Sequence, residues 1–234
     1  MNHSSRRAVA GLSLGASIGL TALALAVPLL AHADSAQIAS RIYPWRSDRL
    51  TLEIPADVRF RSGPRWHLTV RAAQRTLKYV IVENGRITAK PHACFSLIPL
   101  CIGYGTHIDR PVHVELTGPA LRQITIKGAG RIDLDGIHQN RLALKIEGSG
   151  KVSGTGSVGE LLVVIDGAGR IDLARMTETD ASVRISGAGV VDIAPTKSVM
   201  VHIDGAGEVR LHSNPAQMIQ HIDGAGEVIR VAPG

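Results

Sequence analysis

From residue 124 onward apolar and polar positions alternate in short runs, and each run is cut by a pair of glycines. Ile124 and Ile126 precede one break, and Ile132 and Leu134 follow it. The pattern continues with Leu144, Ile146 and Val152, then Val163, Ile165, Ile171 and Leu173. It carries on through Val183, Ile185, Val191 and Ile193 to Val201, Ile203, Val209 and Leu211. Alternation with a period of two places one side of each run in a core. The breaks are Gly-Ala-Gly or Gly-Ser-Gly tripeptides starting at Gly128, Gly148, Gly167, Gly187, Gly205 and Gly224, so they recur every 18 to 20 residues. A fixed period of this size with strand-type alternation inside each unit predicts a β-solenoid of about six repeats. The glycines are placed at the corners of its coils. Spacing alone leaves open whether the central alanines point inward, because a corner interrupts the alternation.

Upstream, Leu50 to Ile54, Val58 to Phe60, Trp66 to Val70, Leu77 to Val82, and Ile87 read as further strands. Pro55-Ala56-Asp57, Ser62-Gly63-Pro64 and Asn84-Gly85 supply the turns between them. No amphipathic helix is evident after residue 33. The expected fold is all-β: an N-terminal β region over residues 34–120 that caps one end, and repeats over 121–234, together one elongated domain. The other end presents strand edges that need a partner. Cover by the Val-Ile-Arg-Val tail, or by a second chain forming a homo-oligomer through the C-terminal coil, is expected there.

Residues 1–33 stand apart. Arg6 and Arg7 precede an uncharged stretch, and Ala31-His32-Ala33 forms a cleavage site before Asp34, so the segment reads as a secretory signal peptide. No other apolar run is long enough to span a membrane, and none is expected after cleavage. The whole chain carries a formal charge of +6, and the mature chain +4. Residues 34–120 hold 12 basic and 7 acidic side chains, whereas 121–234 hold 12 and 13. With no Lys/Arg run, that basic excess is a solubility feature and nucleic acid is not an expected partner. Cys94 and Cys101, the only cysteines, fit a disulfide stapling a local loop in an exported protein.

The order of several short segments resembles the autotransporter-adhesin head family, known as the GIN domain. They are Ile54-Pro55-Ala56-Asp57-Val58-Arg59-Phe60, Val112-His113-Val114-Glu115-Leu116 with Pro119-Ala120-Leu121, and then the Gly-Ala/Ser-Gly series. The resemblance implies a β-helix with no catalytic set and an adhesive role. It supplies no functional residues to transfer, and the Cys94–Cys101 loop is not part of the family pattern.

Strings that look catalytic fail on context. Gly11-Leu12-Ser13-Leu14-Gly15 lies in the signal peptide. Gly154 to Gly159 has dinucleotide-fingerprint spacing but leads into another strand, not into the helix that would hold a pyrophosphate. The Gly-x-Gly-x-x-Asp spacing at Gly128, Gly167 and Gly187 differs from calcium-binding nonapeptides in both offset and period. No cofactor, metal site or catalytic residue is expected. The outward positions beside the glycines are the binding candidates. His-Ile-Asp-Gly-Ala-Gly-Glu-Val occurs twice, at His202–Val209 and His221–Val228. Stacking would set Asp204 over Asp223 and Glu208 over Glu227, where like charges repel unless a cation, a basic group or a partner relieves them.

All seven aromatic residues (Tyr43, Trp45, Phe60, Trp66, Tyr79, Phe95 and Tyr104) precede the first repeat. A glycan stacking on rings would therefore bind near Tyr43, Trp45, Phe95 or Tyr104, with Tyr43 and Trp45 as the leading candidates, although most of these rings are expected to pack the core of the cap. The favoured reading is an exported, non-enzymatic β-helix in the periplasm or at the cell surface, acting as an adhesin or envelope scaffold toward a protein or a cell-envelope glycan. A glycan-binding module is the first alternative. A pectin-lyase-like polysaccharide enzyme using Asp133, Asp172 and Asp192 opposite Arg131 and Arg170 is the second.

Overall fold

The computed structural model describes residues 37–90, 108 and 111–231. The signal segment, the Ala33–Asp34 junction, Cys94 and Cys101 lie outside the described residues, as do Phe95 and Tyr104. Strands β1 (Ile38–Tyr43), β2 (Arg49–Leu52), β3 (Ala56–Ser62) and β4 (His67–Ala73) lead to one helical turn, α1 (Gln74–Leu77). Then come β5 (Val80–Glu83), β6 (Arg86–Ala89), β7 (Val112–Gly118) and β8 (Gln123–Gly128). The long strands β9 (Arg131–Gly148), β10 (Lys151–Gly167) and β11 (Arg170–Gly187) each make most of a coil. The remaining coils are built from β12 (Val190–Ile193), β13 (Pro195–Gly205), β14 (Glu208–Leu211), β15 (Gln217–Gly224) and β16 (Glu227–Arg230).

The repeats stack in parallel and in register, forming a β-solenoid. Ile126, Ile146, Ile165, Ile185 and Ile203 succeed one another rung by rung, and all five are fully buried. Ile132, Val152, Ile171, Val191 and Val209 form a second such row beyond the corner. Each buried aliphatic side chain contributes about 1.5–3 kcal/mol of transfer free energy, so these rows hold the coils together.

The corner explains why the tripeptide recurs. The first glycine adopts a positive φ, +135° at Gly167, and a Cβ there would lie 2.6 Å from the Gly148 carbonyl oxygen one rung below. That carbonyl accepts a hydrogen bond from the Ala168 N–H at 2.9 Å, so the ladder continues around the bend. The second glycine faces inward. A Cβ on Gly169 would meet the Ile146 methyls at 2.9 Å. The central residue points to solvent, and Ala129, Ser149, Ala168, Ala188, Ala206 and Ala225 are all exposed.

Three features of the upstream region differ from the sequence expectation. Leu77 ends the helical turn α1 and is buried, so the strand starts only at Val80. Ala56 and Asp57 already pair with β7 as part of β3, leaving the bend to the residues before them. The N-terminal strands are also interleaved with the stack. On one face the order is β1, β4, β7, β3, β9, and on the other β5, β6, β2, β8, β9. The coil β2–β3 therefore lies between the later segments β6 and β7 on one side and β8 and β9 on the other. Antiparallel pairs β1–β4 and β5–β6 finish this end. At the far end the Val-Ile-Arg-Val tail does not cover the last coil. Val228, Ile229 and Arg230 belong to β16, which pairs β14 in parallel, and the Val231 N–H donates to the Leu211 carbonyl, so the tail is the last rung.

Candidate functional site

Polar chemistry in this fold sits on outward rows, because alternate residues of each strand are committed to the core. The rows beside the corners follow directly from the register. Before the glycines stand Lys127, Glu147, Asp166, Ser186, Asp204 and Asp223, and after them Arg131, Lys151, Arg170, Val190, Glu208 and Glu227. Asp204 does lie one rung from Asp223, and Glu208 one rung from Glu227. For the glutamate pair, relief comes from a base the sequence did not single out. Arg210 Nε donates to Glu208 Oε1 at 2.5 Å, and its Nη1 lies 3.9 Å from Asp192 Oδ1. The Glu208 hydrogen bond and charge, with Asp192 and Glu227 beyond, raise the Arg210 guanidinium above its ordinary pKa. The same logic recurs on the neighbouring face, where Lys145 contacts Glu147 at 2.6 Å and Asp166 at 3.7 Å. The Glu147 hydrogen bond raises the Lys145 pKa, and Lys145 in turn lowers that of Glu147.

Two residues after the second corner row lies a further outward row: Arg59, Asp133, Ser153, Asp172, Asp192 and Arg210. The three aspartates considered for enzymatic work thus share one row, but Ser153 separates Asp133 from Asp172. The Ser153 hydroxyl donates to Asp133 Oδ1. Asp192, only 7 % exposed, meets His212 Nε2 at 3.0 Å through Oδ1. His202 and His221 stack with ring centroids 5.1 Å apart, next in the row after Arg184. Among the described residues, no group of three or more His, Cys, Asp or Glu could hold a metal ion.

The aromatic candidates are placed differently from one another. Trp45, a candidate for stacking on a sugar ring, is 6 % exposed and belongs to the core, with Nε1 donating to the Ser47 carbonyl at 2.7 Å. Its ring faces are occupied by packing and offer no stacking platform. Tyr43 is half-buried against the core, with Arg41 over its ring at 6.0 Å. A groove of about 870 Å³ runs past Trp45 between residues 44–49 and 82–85.

Glu178 was missed altogether. It is fully buried at the rung position that Gln139 and Val158 occupy in the preceding coils. Gln139 satisfies its amide by donating to the Leu121 carbonyl at 3.0 Å and the Arg141 carbonyl at 2.8 Å. Glu178 Oε2 accepts from the Ala194 N–H at 2.9 Å, while Oε1 has no hydrogen-bond partner among the described residues. Burial pushes its pKa up to about 8, partly offset by the Ala194 N–H and by its own. A lone carboxylate at a position where the repeat alignment shows Val158 was the available signal.

A parallel solenoid with aliphatic rows inside and charged rows outside defines a repeat scaffold whose chemistry is spread over open faces. The chain belongs to the family described as "Putative auto-transporter adhesin, head GIN domain", whose model matches residues 48–215. Among solved structures it is similar to one described as a putative adhesin from Bacteroides fragilis, with a TM-score of 0.61 and 13% identity, covering 83% of this chain and 97% of that one. A protein from Parabacteroides distasonis described as a putative lipid binding protein is similar at 16% identity and a TM-score of 0.45, covering 83% of this chain and 97% of that one. No curated protein matches the sequence. Among the described residues no helix is long and apolar enough to cross a membrane.

Proposed function

We propose that this protein is an exported, non-enzymatic scaffold whose solenoid faces make adhesive or envelope contacts in the periplasm or at the cell surface. Family membership supports the adhesive role, and the leader-like residues 1–33 support export. The observation that carries the scaffold reading is the arrangement of the polar groups. They lie in rows one rung apart along open faces, many tied into ion pairs such as Arg141–Glu160 at 2.5 Å and Arg210–Glu208. A repeated face of this kind favours extended contact with a partner over turnover of a small molecule. The partner is a protein or an envelope glycan. The unpaired outer edges of β15 and β16 among the described residues support a homo-oligomer as a further state, read by light scattering against concentration.

The test is a binding screen of mature Asp34–Gly234 against glycan arrays and cell-envelope fractions, with a Tyr43→Ala variant in parallel. Saturable retention that survives the variant supports the repeat faces. Loss in the variant, with its thermal unfolding unchanged, moves recognition to the N-terminal region. Degradation of a polysaccharide that Asp172→Asn abolishes would overturn the non-enzymatic reading.

A further inference from the structure

Three basic residues on the row after the corner glycines stand out because they stack on successive rungs with no partner. Arg131, Lys151 and Arg170 occupy successive rungs, about 4.8 Å apart, and all three are exposed. Among the described residues none of them makes an ion pair or a side-chain hydrogen bond. By contrast Lys145 and Arg141 on the first of these coils, and Arg210 two rungs beyond the last, are each held by a carboxylate. Like charges directly opposite across a sheet are destabilising, so this row has an unmet need for anions.

The row beside it has complementary chemistry. Two residues along the same strands, on the same outward side, are Asp133, Ser153 and Asp172. Each rung therefore offers one cation and one hydrogen-bond acceptor: Arg131 with Asp133, Lys151 with Ser153, Arg170 with Asp172. The pattern stops at both ends. On the preceding rung the sign reverses to Asp57 and Arg59, with Asp57 facing His113 at 3.7 Å. On the following rung Val190 replaces the cation, and Asp192 is taken by His212.

We infer that this three-rung strip binds an acidic polysaccharide, a linear sugar chain bearing one carboxylate per unit. The inference rests on the scaffold reading above and names its ligand class. The cations meet the ring carboxylates by charge-assisted hydrogen bonds, and Asp133, Ser153 and Asp172 accept from ring hydroxyls. A rung spacing close to the advance per unit of a linear pyranose chain lets successive sugars address successive coils. Neutral glucans lack the anion and linear polyphosphate lacks the hydroxyls, so each satisfies only one row. The site lies on the repeats and includes no aromatic residue.

The experiment is calorimetric titration of the mature protein with a short oligogalacturonate at low ionic strength, with dextran and linear polyphosphate as comparison ligands. Two variants accompany it: Lys151→Glu, and Arg184→Glu, which reverses an exposed arginine in a different outward row. The expected result is saturable oligogalacturonate binding that Lys151→Glu weakens about tenfold or more, as befits reversing one of three charge-assisted contacts, while Arg184→Glu leaves it within about twofold. Lys151→Glu places a carboxylate between two arginines, so its thermal midpoint stays level or rises, which separates lost binding from lost folding. Absence of binding, equal loss in both variants, or polyphosphate binding as tightly as the uronate would overturn the inference. Retention of the same proteins on cell-envelope fractions is measured alongside. Retention without uronate binding overturns the inference and leaves the scaffold reading standing, and uronate binding without retention does the reverse.

Discussion

Replacing Glu178 by Gln should change how stability depends on pH. The carboxyl is fully buried, with one oxygen on the Ala194 N–H and the other without a partner among the described residues. Burial raises its folded-state pKa from 4.5 to about 8. Between those values the folded protein holds a proton that the unfolded chain has released, so stability falls as pH rises through the interval. The contribution is level below the unfolded pKa and again above the folded one. At about 1.4 kcal/mol per unit the full effect approaches 5 kcal/mol, and local relaxation around the ionised group brings it to about 2–4 kcal/mol. Gln keeps an acceptor for Ala194 and carries no charge, so this dependence vanishes. Urea unfolding of both proteins at pH 5 and pH 8.5 reads it as a difference of differences, in which the groups they share cancel. The variant should gain about 2–4 kcal/mol relative to the parent between the two pH values. Parallel profiles for the two proteins would refute the argument, because they would mean that Glu178 ionises in the folded state as readily as in the unfolded chain.

Further expectations concern the corners and the rows. Gly167→Ala must place a Cβ against the Gly148 carbonyl at a positive φ and should cost about 2–4 kcal/mol by chemical denaturation, whereas Ala168→Ser, at the exposed corner position, should change little. Ile185→Ala opens a hole in the buried isoleucine row and should cost about 2–5 kcal/mol; a loss under 1 kcal/mol would mean that the coils collapse onto the gap. Arg210→Gln leaves Glu208 over Glu227 without their base, so the thermal midpoint should fall at low salt and recover as salt is added. A drop independent of salt would assign Arg210 a packing role.

Much of the repeat half was legible because each coil repeats the same demand. Gly167 and Gly169 answer different needs, a positive φ and room for the isoleucine row, and both recur with the period. The register that sets Asp204 over Asp223 followed from the identical segments around them. The N-terminal half lacked such a ruler. Leu77 fits a strand by hydrophobicity, but its neighbours Gln74 to Thr76 wind into a turn that buries it from the other direction. The candidacy of Trp45 failed because the segment between β1 and β2 carries no alternation to tell which way a ring turns, and the ring turns into the core. Glu178 escaped because a single acid in an otherwise polar stretch stands out only when its coil is aligned with the preceding one, where Val158 takes its place.

The interleaving of β2 and β3 with later strands bears on how the chain assembles itself. A solenoid whose coils stack in sequence order can grow from its first turn, each new coil docking on the one before. Here the coil of residues 49–62 gains its neighbours from residues 86–87 and 112–118 on one side and from 123–126 and 131–135 on the other. A chain emerging from its N-terminus cannot complete that end until Asp135 has appeared. The loop closures involved are long-range, and such closures slow folding because their entropy is lost before the contacts reward it. The repeats from β9 onward need only adjacent coils, so they can zip up locally while the other end waits. A chain threaded through a translocation pore would thus stay open over its first third until the segments that flank it on both sides have passed.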